Sequence, residues 1–241
     1  MINYQISGHL YLAEEFQLGL ENPLFYQLNG LEVFIKNSPE NKRLNVTVKV
    51  NSENKESAII RAENELQRVS NLISWFHNVP IIKCRISGIT FSKKKDSQNV
   101  VVMMENLSLS AKLCIMKTMG EESIKKFNEQ LTKSYDRNFE EILIMWREAL
   151  VEQSKGLKFF LFYRILERLC SSRREVERFI EGKIISIERR NDWRGHQVTI
   201  FTFLRDNIHS KNQKFPYKEI ERHLPQMQNL VRTKIQESFP I

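Results

Sequence analysis

A guanidinium and an imidazole stand four residues apart in Phe203-Leu204-Arg205-Asp206-Asn207-Ile208-His209-Ser210-Lys211. In a helix, positions i and i+4 lie one turn apart on one face, so Arg205 and His209 sit together while Leu204 and Ile208 turn to the core. Two groups that are both cationic once the histidine is protonated make a poor structural pair unless an anion lies between them. Phosphate is the natural anion. Arginine grips its oxygens through a planar fork, and an imidazole titrating near neutrality can pass a proton during transfer. This is the minimum kit for cleaving RNA without a metal: one group takes the proton of the ribose 2′-hydroxyl, and another stabilises the charge that builds on phosphorus. An Arg and a His at this spacing also arise by chance, so the pair alone does not decide.

Other chemistry-bearing residues are sparser. Arg189-Arg190-Asn191-Asp192-Trp193-Arg194 sets three arginines around a tryptophan in what reads as a loop before the Arg205 helix. Arginine and tryptophan together suit stacked bases and phosphates; the alternative is a surface loop whose Trp193 caps the core. Beyond His209, Lys211, Lys214 and Lys218 extend a basic track. His9, His77, His196 and His223 show no metal-ligand spacing, and Cys84, Cys114 and Cys170 form neither a disulfide framework nor a zinc knuckle. They read as reduced, mostly buried thiols. Neither a glycine-rich phosphate loop nor a Gly-x-Ser-x-Gly elbow is present, so no metal and no cofactor are expected.

The elements that must position these residues differ between the two halves. Leu44 to Val50 alternates apolar and polar residues as a half-buried strand does, Leu31 to Ile35 follows an Asn-Gly turn signal, and Ile81 to Phe91, Asn99 to Met104 and Ser108 to Met116 are strand-like. Lys93 to Gln98 reads as a charged, solvated hairpin tip. Ala58, Ile59, Ala62, Leu66, Val69, Ile73 and Phe76 recur at helical spacing from about Lys55 to His77, with Pro80 beyond the end. From Gly120 the pattern is helical: a stripe from Phe139 to Leu150, a segment Leu157 to Cys170 apolar nearly all round, a stripe from Val176 to Ile187, one from Gln197 to His209, and one from Tyr217 to Ser238 that Pro225 should kink or divide. The expected fold class is α+β: an N-terminal mixed β-sheet with one long helix, residues 1–125, and a C-terminal bundle of four or five helices, residues 126–241. The boundary lies somewhere between Thr118 and Asp136.

Composition sets the frame. Hydrophobic residues make up 41% and charged residues 27%, ordinary for a folded chain. No run approaches a membrane span, and Met1-Ile2-Asn3-Tyr4-Gln5 lacks the basic-then-apolar pattern of a secretory signal, so no membrane association and a cytoplasmic location are expected. Residues 1–130 carry 16 Lys/Arg against 14 Asp/Glu, and residues 131–241 carry 21 against 15. The second half is the basic one, which suits a polyanionic partner, although spare surface lysines would give the same count.

The C-terminal half, residues 135–238, resembles a HEPN domain. The resemblance rests on the apolar helix ending Phe162-Tyr163-Arg164-Ile165-Leu166-Glu167, on Leu204-Arg205-Asp206-Asn207-Ile208-His209, and on the final helix after Phe215-Pro216. It implies a metal-independent endoribonuclease working as a homodimer, with Arg205 on the scissile phosphate, His209 in proton transfer and Asp206 orienting the pair. It also implies RNA as partner and a possible role as a toxin or effector in prokaryotic antiviral defence. Phe162 and Tyr163 would lie on the helix that family members use for dimer packing. Family motifs usually place four to six residues between arginine and histidine; the three here either keep the pair on one face or mark a branch without cleavage. Many members are scaffolds that bind RNA, a nucleotide or a protein. The N-terminal portion would then regulate the domain or recruit a protein partner.

Overall fold

The computed structural model describes residues 1–39, 42–92, 115–119, 121–208 and 217–240. The chain is α+β and divides into two compact units, Met1–Asp136 and Arg137–Ile241. The division lies at the far end of the Thr118–Asp136 span, because helix α2 (Glu121–Leu131) packs with the first unit.

In the first unit, β1 (Ile2–Leu12), β3 (Leu24–Leu28), β4 (Leu31–Asn37), β5 (Arg43–Ser52) and β6 (Ile81–Ser92) form a sheet in the order β3-β4-β5-β1-β6. Every pairing in it is antiparallel. Parallel pairing is confined to a separate ladder of β2 (Phe16–Leu20) with β7 (Ile115–Met119). Helix α1 (Lys55–His77) crosses one face of the sheet. Asn54 caps its start by accepting from the Ser57 N–H at 2.8 Å, and Asn78 ends it in the left-handed region at φ 51°. Its stripe of Ala58, Ala62, Leu66, Val69 and Ile73 meets Ile6, Leu10, Val46 and Val48, all essentially solvent-free. Gly8 makes that packing possible: a Cβ there would sit 2.8 Å from the Leu66 Cδ1 and 3.1 Å from the Arg85 carbonyl oxygen. Below α1, Arg68 donates to Glu65 and, at 2.7 Å, to the Leu131 carbonyl, which ties down the end of α2.

The second unit holds α3 (Arg137–Val151), α4 (Lys155–Leu169), α5 (Arg173–Lys183), a hairpin of β8 (Arg189–Asn191) and β9 (Gln197–Thr199), α6 (Ile200–Asn207) and α7 (Tyr217–Ser238). Five helices match the expected bundle. Its core is aromatic: Phe139, Trp146, Phe159, Phe162, Tyr163 and Phe201 are all fully buried. Helix α7 runs unbroken through Pro225. The stripe expected to reach Ile187 stops at Lys183, where Ile184 leaves the helical region at φ −121°.

The reading of the hairpin segment changes. The arginine-rich segment is not a loop throughout, since Arg189 to Asn191 pair with Gln197 to Thr199; the strand there was too short to leave a period. β1 and α2 were not anticipated, although Ile2, Tyr4, Ile6, Leu10 and Leu12 alternate along β1 and Ile124, Phe127 and Leu131 recur at helical spacing along α2. Cys84 is half-buried and Cys170 buried, both as free thiols. The runs around Lys93–Gln98 and Asn99–Met104, with Cys114, lie outside the described residues. No described helix is long and apolar enough to cross a membrane.

Candidate functional site

Arg205 stands in the last turn of α6, a helix fixed at its start by an unusual concentration of polar bonds. Thr199 caps the helix and is fully buried. Its N–H donates to one oxygen of Glu177 at 2.8 Å and its hydroxyl donates to the other at 2.9 Å. Thr202, 1% exposed, also donates to Glu177, and its hydroxyl oxygen shares a 2.7 Å hydrogen bond with Tyr163. Burial pushes the Tyr163 phenol well above its ordinary range. Ile200, Phe201 and Leu204 then fill the core, Phe201 stacking on Phe159 at 6.3 Å. From this helix Arg205 extends along the flank of α4.

There its guanidinium lies over the Tyr163 ring at 5.5 Å and donates to Glu167 and, at 2.8 Å, to Asp206. Its Nε–H is buried without an acceptor among the described residues, and the side chain keeps 28% exposure. Burial opposes its charge, but the hydrogen bond it donates to Asp206 and the fields of Glu167 and Asp206 win, and its pKa lies above the ordinary arginine value. A cation in the last turn is also favoured by the helix dipole. The chain of charges continues: Asp206 accepts from Arg173 at 2.8 Å, and Arg173 reaches Asp192 at 3.4 Å. Three carboxylates and two guanidinia therefore alternate from α4 to the hairpin.

Asp192 anchors that hairpin's turn. Its Oδ1 accepts from the backbone N–H groups of Arg194 and His196 at 2.9 Å each. Burial would raise this carboxyl, yet those two donors hold it below the usual aspartate value. Gly195 closes the turn at φ +81°, a conformation that side chains resist. The tip projects Trp193, 78% exposed, with Arg194 4.3 Å over its ring. Trp193 thus does not cap the core.

The sequence-marked residues are brought together only in part. Arg205 and Asp206 are bonded to each other. Arg189 is held by Glu181, and Arg190 by Glu219 at 2.7 Å and Glu188 at 2.8 Å, with its guanidinium over Phe203. The Arg194 guanidinium lies over Trp193 and forms no ion pair with a described carboxylate. His209, Lys211 and Lys214 lie outside the described residues. Glu167, Arg173, Glu177 and Thr202 were not singled out beforehand. One signal was available: Tyr163 and Glu167 are one turn apart on α4, so a partner of one is near the other. Among the described residues no group of His, Cys, Asp or Glu is placed to hold a metal.

Comparison with known protein families, with curated proteins and with solved structures finds no match for this chain.

Proposed function

We propose that the C-terminal unit is a metal-independent endoribonuclease of the HEPN type, acting as a homodimer on RNA. The observation that supports it is the placement of Arg205, a guanidinium pre-set by Tyr163, Asp206 and Glu167, partly exposed, with one N–H lacking an acceptor among the described residues. In this mechanism Arg205 grips the non-bridging oxygens of the scissile phosphate. His209 takes the proton of the neighbouring 2′-hydroxyl, whose oxygen attacks phosphorus. The bond to the 5′-oxygen breaks, that oxygen takes a proton from solvent water while His209 returns its own to solvent, and the products are a 2′,3′-cyclic phosphate and a 5′-hydroxyl.

The Glu167 pairing does not close the site. The two side chains are 28% and 21% exposed, and pairs so screened contribute about 1 kcal/mol or less. A phosphate competes with Glu167 for the same charge-assisted bond and can in addition supply the acceptor that the Nε–H lacks among the described residues.

The same carboxylates favour a second reading, a non-catalytic HEPN scaffold that binds RNA, a nucleotide or a protein, because both Nη atoms of Arg205 already have anionic partners. Incubating the purified protein with end-labelled RNA and a chelator separates the two. Cyclic-phosphate ends that Arg205→Ala and His209→Ala each reduce by roughly a hundredfold or more, with circular dichroism unchanged, support the nuclease. A mobility shift without cleavage supports the scaffold.

A further inference from the structure

Among the described residues, α1 covers one face of the sheet of the N-terminal unit. On the other face, registered side chains form rows across the strands. Phe25 pairs with Phe34; Gln27, Glu32, Lys49, Gln5 and Thr90 form the next row. On the other side of the ring pair, Lys36, Asn45, His9 and Arg85 are aligned, followed by Arg43, Tyr11 and Lys83. Two features of this face call for an occupant. Phe25 and Phe34 are 44% and 38% exposed and lie against each other, centroids 4.6 Å apart, with the Lys49 ammonium 5.1 Å over the Phe34 ring. Five cations, Lys36, Arg43, Lys49, Lys83 and Arg85, share the face with one described carboxylate, Glu32. Lys36, Lys83 and Arg85 form no ion pair with a described residue.

We propose that this face binds single-stranded RNA. The cations match a polyanion, and the paired rings, tilted 39° to each other, offer exposed aromatic faces for bases, whose own faces are available only when unpaired. An acidic protein surface would satisfy the cations, but a single strand of RNA repeats both the charge and the planar group at every nucleotide. At the next row, a groove of about 750 Å³ is lined by Gln5, Gln27, Asn51 and Thr90 together with the Glu32–Lys49 ion pair. The amides and the hydroxyl both donate and accept, as the 2′-hydroxyl and base edges require. The proposal shares a polymer with the reading of the C-terminal unit but none of its residues.

The test is fluorescence anisotropy of the full-length chain carrying His209→Ala, with a labelled ten-nucleotide oligouridylate and the matching oligothymidylate. Phe25→Ala/Phe34→Ala should weaken oligouridylate binding about tenfold or more, and Phe25→Tyr/Phe34→Tyr should restore it. Lys83→Gln/Arg85→Gln should flatten the log–log salt slope by roughly 1.4, about 0.7 for each phosphate that is no longer neutralised. The deoxy strand should bind several-fold more weakly. Unchanged affinity in the Phe→Ala pair, loss in the tyrosine pair, or equal affinity for both strands overturns the proposal. Affinity abolished by Arg205→Ala alone also overturns it, by placing the polymer on the C-terminal unit, whereas wild-type protein that binds here and cleaves nothing supports it while removing the nuclease.

Discussion

Replacing Glu177 with alanine tests whether the polar cluster at the start of α6 sets the position of Arg205. Glu177 accepts three hydrogen bonds, from the Thr199 N–H, the Thr199 hydroxyl and the Thr202 hydroxyl, and both threonines are buried. In Glu177→Ala the hydroxyls have a fallback, since Thr199 lies 3.3 Å from Thr202 and Thr202 also meets Tyr163. The Thr199 N–H has none. One stranded backbone donor costs about 1–3 kcal/mol, and removal of two charge-assisted bonds adds about 1 kcal/mol each after rearrangement. Partial solvent access to Glu177 trims the sum, leaving about 3 kcal/mol, or roughly a hundredfold in the opening equilibrium of α6. Because the chain has two units, whole-chain denaturation would mix two transitions; native-state hydrogen exchange read on α6 follows this one. Glu181→Ala, which removes only an exposed pair with Arg189, is the control and should shift exchange by less than about 0.5 kcal/mol. A Glu177→Ala shift below about 1 kcal/mol would refute the argument that this carboxylate holds the helix.

Glu167→Gln should cost less than about 1 kcal/mol of stability while raising the rate of Arg205-dependent RNA cleavage at sub-saturating substrate several-fold; a slower reaction would mean that Glu167 assists rather than competes. Gly8→Ala should destabilise the first unit by about 1–3 kcal/mol, because its Cβ would meet Leu66 at 2.8 Å; thermal unfolding with α1 amides as the probe measures it. His223 packs on Phe201 at 5.5 Å, and burial lowers its pKa below the usual 6.5. The unfolded chain therefore takes up its proton first, and stability should fall as pH drops through and below about 6.5. In His223→Gln that slope should be shallower, and an unaltered slope would assign it to other groups.

What was legible in the sequence is what apolar period encodes. The stripe from Ala58 to Phe76 and the run Leu157 to Cys170 each had to bury one or all faces; the first forms a helix with the expected ends, Lys55 and His77, and the second a helix whose ends lie within two residues of expectation. The same logic is silent where burial is achieved by polar bonds. Glu177, Thr199 and Thr202 carry no apolar signature, yet they fix α6; only their meeting in space, 22 and 25 residues apart in the chain, gives them meaning. Strand β1 alternates legibly through Ile2, Tyr4, Ile6, Leu10 and Leu12, but the reason its run skips at Gly8 is not local: Gly8 admits Leu66, a requirement set by a helix nearly sixty residues away. Asp206 was recognisable beside Arg205, but its second partner, Arg173, comes from a different helix.

Charge shows most sharply how a count along the chain departs from its arrangement in space. By count the C-terminal half is the basic one, yet Arg164, Arg168, Arg173, Arg189, Arg190 and Arg205 are each held by a carboxylate. The nearly balanced N-terminal half instead gathers cations on one sheet face with a single described acid. The two should therefore answer salt differently. If about four phosphates are neutralised on the sheet face, affinity there falls with a log–log slope near −2.8, so raising salt from about 50 to 200 mM weakens oligouridylate binding roughly fiftyfold. A reaction that depends on the single phosphate grip of Arg205 should lose only about threefold in its rate at saturating RNA over the same range. Equal salt dependence of binding and cleavage would show that one surface serves both, and the separation of roles between the two units would fall.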